Sequence, residues 1–312
     1  MKYLYIYIGF FLLFGCKKSN LTEPLASKIN SNLIYFGYTL VDVGWDDPTD
    51  KESKTNYLDE IECFSNIADI LVVSPNDNIV DRLINMDNSQ VKGILHLYEI
   101  FFEQTGTGGD KSGFIYELRS DYQDRWDTFH AVNDISNNAN LISCFYIGEE
   151  PAWNGITESD FTLACDYVKS TITSVPIFLV EAYPSLTELY TPNSVDWVGF
   201  DHYFIAKPFT DDIFNKELIL LKTKLKTHQK IFLILDAHYI KFAHGSQGIN
   251  KNEMDIVARD YYNIANADTS IIGLLGYHWP SGFEFKKSIG ARDLPKHVKD
   301  EHEKIGRIIT GK

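Results

Sequence analysis

Two adjacent carboxylates, Glu149 and Glu150, close the apolar run 141–148 and are followed at once by Pro151. A run of that length and composition reads as a buried β-strand, and proline, which has no N–H to donate, stops its ladder. Charge at the end of a buried strand is expensive unless a site uses it. The arrangement recurs along the chain. Other apolar runs lead into Asp42, Trp45 and Asp46, into His96 and Glu99, and into Glu181 and Tyr183. Further runs end in Asp201-His202-Tyr203, in Asp236-Ala237-His238-Tyr239 and in Tyr277-His278-Trp279. Gathered into one ring, these residues make a mouth rich in carboxylates and aromatics. Crowded carboxylates raise one another's pKa, so one stays protonated near neutral pH while another ionises. Cleavage of a glycosidic bond needs that pairing: one carboxyl protonates the leaving oxygen, a second attacks the sugar or activates water, and flat rings hold the sugar.

A ring of this kind requires strands that all end on one side. Eight β-like runs are legible, at 33–43, 69–74, 91–98, 141–148, 175–180, 195–200, 230–235 and 270–276. Between them lie helix-like stretches at 54–68, from 79, and at 121–135, 157–173, 213–227 and 252–265, with a last one at 297–309. Thr157 is placed to cap its helix, with Asp160 three positions on. A glycine-rich loop is expected over 105–113 after the third strand. Eight β units alternating with helices in one uniform domain predict an α/β fold, a single-domain (β/α)8 TIM barrel over 32–312, with the site at its C-terminal face. A doubly wound open sheet is the rival, but no Gly-x-Gly-x-x-Gly turn follows an early strand.

The 312 residues carry a net charge of −14, which argues against a nucleic-acid or other polyanion partner. The lysines at 222–230 fall at helical spacing and read as a solvated face. The 18 Tyr, 20 Phe and 5 Trp suit a core and also sugar platforms. At the N-terminus, a charged start and about a dozen apolar residues form a secretory signal too short to span a bilayer. Leu13-Phe14-Gly15-Cys16 resembles the bacterial lipobox, which implies a lipoprotein signal peptide at 1–15, lipidation of Cys16 and a polar tether at 16–31. The expected location is the bacterial cell envelope, lipid-anchored at the outer membrane, facing periplasm or exterior. Cys63, Cys144 and Cys165 have no metal-like spacing and read as small buried hydrophobes.

The strand ends resemble those of the retaining barrel glycosidases that include cellulases, galactanases and mannanases. In that clan the fourth strand ends Asn-Glu, often followed by Pro, so the resemblance implies Glu150 as acid/base and Glu149 in the place of Asn. The sixth strand's end, Asp201-His202-Tyr203, is similar to the clan's. The seventh implies Asp236 as the second catalytic carboxylate, where the clan has Glu, and the eighth implies Trp279 as a subsite floor. Contacts to a carbohydrate substrate are expected from Glu149, Glu181, Asp201, His202, Tyr203, Trp279, His96 and Trp45, with no cofactor and no metal. Asp201 rivals Asp236 for the second carboxylate, and retention and inversion both stay open, as do the sugar and its linkage. Two other classes are weighed: a glycan-binding lipoprotein without chemistry, and a metal-dependent barrel hydrolase using His96, His202, His238 and Asp236. The second lacks the His-x-His that such barrels carry on their first strand.

Overall fold

Runs in which nearly every residue is apolar are best satisfied as strands covered on both faces, and that requires a parallel sheet flanked by helices. The computed structural model describes residues 25–312. Its strands are β1 (Tyr35–Asp42), β2 (Ile67–Leu71), β3 (Lys92–His96), β4 (Phe102–Thr107), β5 (Phe114–Leu118), β6 (Ile142–Glu149), β7 (Ile177–Ala182), β8 (Trp197–Asp201), β9 (Lys230–Asp236) and β10 (Ile271–Tyr277). Eight of them close a barrel in the order β1-β2-β3-β6-β7-β8-β9-β10, every pair parallel and β10 returning to β1. The (β/α)8 TIM barrel read from the sequence is the fold of the described residues.

The helices are α1 (Leu58–Ile61), α2 (Val80–Asn88), α3 (Tyr98–Phe101), α4 (Tyr122–Val132), α5 (Ile135–Asn138), α6 (Glu158–Thr171), α7 (Asp212–Lys224), α8 (Lys241–Ser246), α9 (Met254–Ala267) and α10 (Lys296–Thr310). The barrel interior is filled by Ile67, Ile94, Cys144, Tyr146, Phe178, Trp197, Phe232 and Ile272. A larger core, which includes Cys165, lies between the strands and the helical ring. Thr157 caps α6, its hydroxyl accepting from the Asp160 amide at 3.1 Å. None of the described helices is long and apolar enough to cross a membrane.

Three local expectations are corrected. The glycine-rich loop expected over 105–113 is shorter, running over 108–113, because β4 and β5 pair on either side of it as an antiparallel hairpin standing on the C-terminal side of β3. The predicted helix over 54–68 shrinks to α1, and β2 begins at Ile67 rather than 69. Asn66 causes this, because its side chain accepts from Phe36 N at 3.0 Å and donates to Ile34 O at 2.7 Å, starting the pairing with β1. Residues 25–31 do not hang free as a tether. Asn30 donates to the carbonyls of Ala265, Asp268 and Ile271 at 2.7–2.9 Å, binding this segment to the end of α9. The expected signal peptide and Cys16 lie outside the described residues.

Candidate active site

At the C-terminal end of the barrel a cavity of about 150 Å³ opens between the strand ends. Glu149, Glu150 and Asp201 line it, together with His96, Tyr146, Tyr203, Tyr277, Phe283 and Glu284. Neighbouring residues of a regular strand point to opposite faces, so Glu149 and Glu150 should not both reach one cavity. Two irregularities bring them there. The pairing of β6 with β7 shifts register between Tyr146 and Gly148, which turns Glu149 to the side of Tyr146. Glu150 then takes a left-handed backbone, φ +47°, and swings inward. A non-glycine residue in that region costs on the order of 1–2 kcal/mol, so the surroundings must hold it.

Each carboxyl has a defined partner. Tyr146 donates its hydroxyl to Glu149 Oε2, and the His96 ring lies 4.6 Å from that of Tyr146. Glu150 and Asp201 hydrogen-bond to each other, which requires a proton between them. Tyr203 donates to Asp201 Oδ2 at a long 3.4 Å and stacks on Tyr277, centroids 5.3 Å apart. Tyr277 donates to Glu284 Oε1 at 2.6 Å. Burial, then the charges of Asp201 and Glu149, push the Glu150 carboxyl well above its ordinary range. Burial and the Glu149 charge push Asp201 up to about 8, although its hydrogen bonds from Glu150 and Tyr203 act the other way. Glu149 is raised by burial, against the bond from Tyr146. His96 is pushed down to about 4 by burial and is therefore neutral. No lysine or arginine lines this cavity among the described residues.

Three further carboxylates hold the loops that carry the site. Glu181 is fully buried and accepts the amides of Ala152 and Trp153 at 2.9 and 3.0 Å, fixing the turn that follows Glu150. Burial raises it to about 8 in spite of those bonds. Asp236, on β9, accepts the amide of Phe204 at 2.8 Å, just past Asp201-His202-Tyr203. Asp69, on β2, accepts the amides of Leu40 and Val41 at 2.9 and 2.8 Å. Leu40 and Phe204 have φ of +59° and +67°, so each of the three clasps sits at or beside a left-handed non-glycine residue. A carboxylate bonded to two or more donors is what keeps such a backbone in place.

The expected site residues therefore divide. Glu149, Glu150, Asp201, Tyr203 and His96 meet in the cavity. Asp236 does not, which corrects its expected placement opposite Glu150. It is enclosed by His244 Nε2, 3.2 Å from both of its oxygens, and His238 Nδ1 at 3.3 Å. Burial would raise it, but the His244 bond and the nearby His238 hold it below its ordinary value. Its side chain is one methylene shorter than Glu and ends in this packed layer, not in the cavity. Glu181 likewise faces the loop and not the cavity. Trp279 is core and not a subsite floor: it is 5% exposed, packs edge-on to Tyr38 and donates to Glu60 at 2.8 Å. Trp45 stays outside the cavity but supports its wall, edge-on to Phe283 at 5.3 Å. His202 turns outward, bound to Glu217 at 2.5 Å. Of the metal set considered above, Asp236 and His238 meet, but among the described residues no cluster of three such side chains could hold an ion.

Sequence reasoning missed Tyr146, Phe283 and Glu284, and it placed Tyr277 at a strand end without giving it a role. Tyr146 lies within an apolar run where only the register shift gives it a role. Glu284 lies in a loop without periodicity, beside the turn residue Gly282. Tyr277, at the end of its strand, carried the one usable signal.

No family model matches this sequence, and neither does any curated protein. Solved structures are similar in fold. A β-1,4-mannanase of glycoside hydrolase family 113 superposes with a TM-score of 0.53 at 10% identity, over 82% of this chain and 91% of that one. A thermostable mutant of a xylanase from Cellvibrio japonicus gives 0.55 at 8% identity, over 89% and 98%. A β-glucuronidase from an uncultured Clostridium gives 0.57 at 10% identity, over 88% of this chain and 50% of that one. At these identities the likeness is one of fold.

Proposed function

We propose that this protein is a glycoside hydrolase in which Glu150 is the acid and Asp201, in place of Asp236, is the second carboxylate. The observation that carries the reading is the Glu150–Asp201 pair, sharing a hydrogen bond in an aromatic-walled cavity at the barrel mouth. Burial and like charge keep a proton on Glu150 at neutral pH, where it can be given to the leaving oxygen. Asp201, stabilised by Tyr203, is the group that attacks the sugar or activates water. In the free protein the two carboxyls touch, so a substrate must part them. Their separation in a complex would then report the stereochemistry, about 5–5.5 Å for retention and roughly 6.5–9.5 Å for inversion. The fold neighbours act on carbohydrate, as their names state, which agrees with this reading.

The test is a screen of neutral polysaccharides for released reducing ends, followed by Glu150→Gln and Asp201→Asn on whichever substrate reports. Each variant should lose about 10²–10⁴ in rate, and Glu150→Gln should recover on substrates with an activated leaving group. Retention of more than a tenth of the activity in both would remove the pair. The sequestration of Asp236 favours a second reading, a glycan-binding protein that has lost the chemistry. That reading predicts binding of a polysaccharide with no reducing ends released.

We also propose lipid anchoring through Cys16 at the cell envelope, on the strength of the Leu13-Phe14-Gly15-Cys16 stretch. Cys16→Ser should move the protein to the soluble fraction, and a variant that stays on membranes after a high-salt wash would sink the idea.

A further inference from the structure

Beside the central cavity lies a second, more open groove of about 530 Å³, between the loops that follow β7 and β8. Tyr203 lines both, so the two adjoin across its side chain. On the groove's wall the Tyr183 ring lies parallel to that of His202, 5° apart in plane with centroids at 3.6 Å. His202 is itself held, its Nδ1 by Glu217 of α7 at 2.5 Å and its carbonyl by the Tyr261 hydroxyl at 3.0 Å. Tyr183 is nevertheless 43% exposed. An aromatic ring locked flat on one side and open to water on the other contributes less to the core than a buried ring would. It does supply a platform whose ordering cost has been met before a ligand arrives.

The chemistry of the groove narrows the ligand. Lys207 and Asp211 balance in charge, and Thr210 and Gln247 add neutral hydrogen-bonding groups. An electron-rich ring face attracts the slightly positive C–H face of a pyranose, and the polar groups around it suit hydroxyls. We infer that Tyr183, backed by His202, is a binding platform for an uncharged sugar unit of the same glycan chain whose neighbouring unit occupies the central cavity. The inference rests on the glycan reading of the cavity, and it makes the substrate a neutral oligo- or polysaccharide that leaves over Tyr203 toward Tyr183.

The experiment compares the full chain with Tyr183→Ala and Tyr183→Trp, on the polysaccharide found in the screen and on a short aryl glycoside of the same sugar. Tyr183→Ala should raise KM for the polymer roughly three- to tenfold relative to that for the aryl glycoside, the range expected for one aromatic contact. kcat should change little, the thermal midpoint should stay in place, and Tyr183→Trp should restore the ratio. Equal effects on both substrates, or none on either, would overturn the platform. Binding of the polymer to the Glu150→Gln protein, with and without Tyr183→Ala, separates this idea from the hydrolase reading. Binding weakened by Tyr183→Ala without any cleavage by wild type keeps the platform and removes the enzyme. Cleavage unaffected by Tyr183→Ala removes the platform alone. A protein that neither binds nor cleaves any neutral glycan removes both.

Discussion

Asp236→Asn and Asp201→Asn make the same chemical change at the ends of neighbouring barrel strands, and the structure expects opposite outcomes. At Asp236 every neighbour is a donor. Phe204 offers its amide, and the two histidines can be assigned from their backbone contacts. The Ile240 amide points at His244 Nδ1 at 2.8 Å, so the His244 proton belongs on Nε2, which faces Asp236. His238 Nδ1 lies 3.1 Å from the Tyr277 carbonyl and so carries its own proton, also within reach of Asp236. An asparagine there must set its NH2 against at least one N–H. The loss of one charge-assisted bond costs about 1.5–3 kcal/mol, with a further donor left unsatisfied, so about 3 kcal/mol is expected in all. For a domain of this size that is a fall of about 6–12 °C in Tm. Activity measured well below the new midpoint should drop less than tenfold, because Asp236 touches the loop and not the cavity. Asp201→Asn should instead leave Tm unchanged or higher, since the amide oxygen can still accept from the protonated Glu150 and no ionisable group is left buried at that position, while kcat falls about 10²–10⁴. Thermal melts and steady-state kinetics on the two purified variants decide the matter. An Asp236→Asn protein that melts like wild type but loses a thousandfold in kcat would refute the clasp and restore Asp236 as the reacting group.

Other expectations follow from the same geometry. The kcat/KM profile should have its rising limb near pH 8, because Asp201 must ionise and its carboxyl is pushed up to about 8; Tyr203→Phe, which removes a donor favouring the ionised form, should move that limb higher, and a plateau already reached at pH 5 would contradict it. Asp69 and Glu181 are raised to about 7 and about 8, so the stability they contribute is fully present below pH 4 and is lost as pH rises through those values. Thermal midpoints should accordingly fall between about pH 4 and 8 and level off above, and less steeply in Glu181→Gln. Five carboxyl groups and no lysine or arginine line the cavity among the described residues, so a polyuronate should bind at least about tenfold more weakly than a neutral glycan of equal length, with Glu284→Gln narrowing the gap in calorimetric titrations.

The alternation of eight apolar runs with helical stretches was enough to read the barrel, because burial on both faces of a parallel strand and on one stripe of a helix leaves a local, periodic record. Polar residues at the strand ends were legible for the same reason: a charge that interrupts such a run stands out. Glu149, Glu150, Asp201 and His96 are legible in this way. The hairpin of β4 and β5 was not legible, since its glycine-rich turn also suits an open loop, and neither was the docking of residues 25–31, which depends on Asn30 meeting carbonyls more than 230 positions away. Which strand-end carboxylates face the cavity was decided by tertiary structure alone. Strand parity places Glu149 and Glu150 on opposite faces, yet a register shift and one left-handed residue bring both inside. Asp236 and Asp201 look equivalent in sequence, but two histidines and a backbone amide converge on Asp236 and hold it in the wall. Glu150 has no such enclosure and meets Asp201 across the cavity. Residue type and spacing named the groups able to do the chemistry; the direction each side chain takes is set by contacts distant in sequence, and these exist only once the barrel has closed.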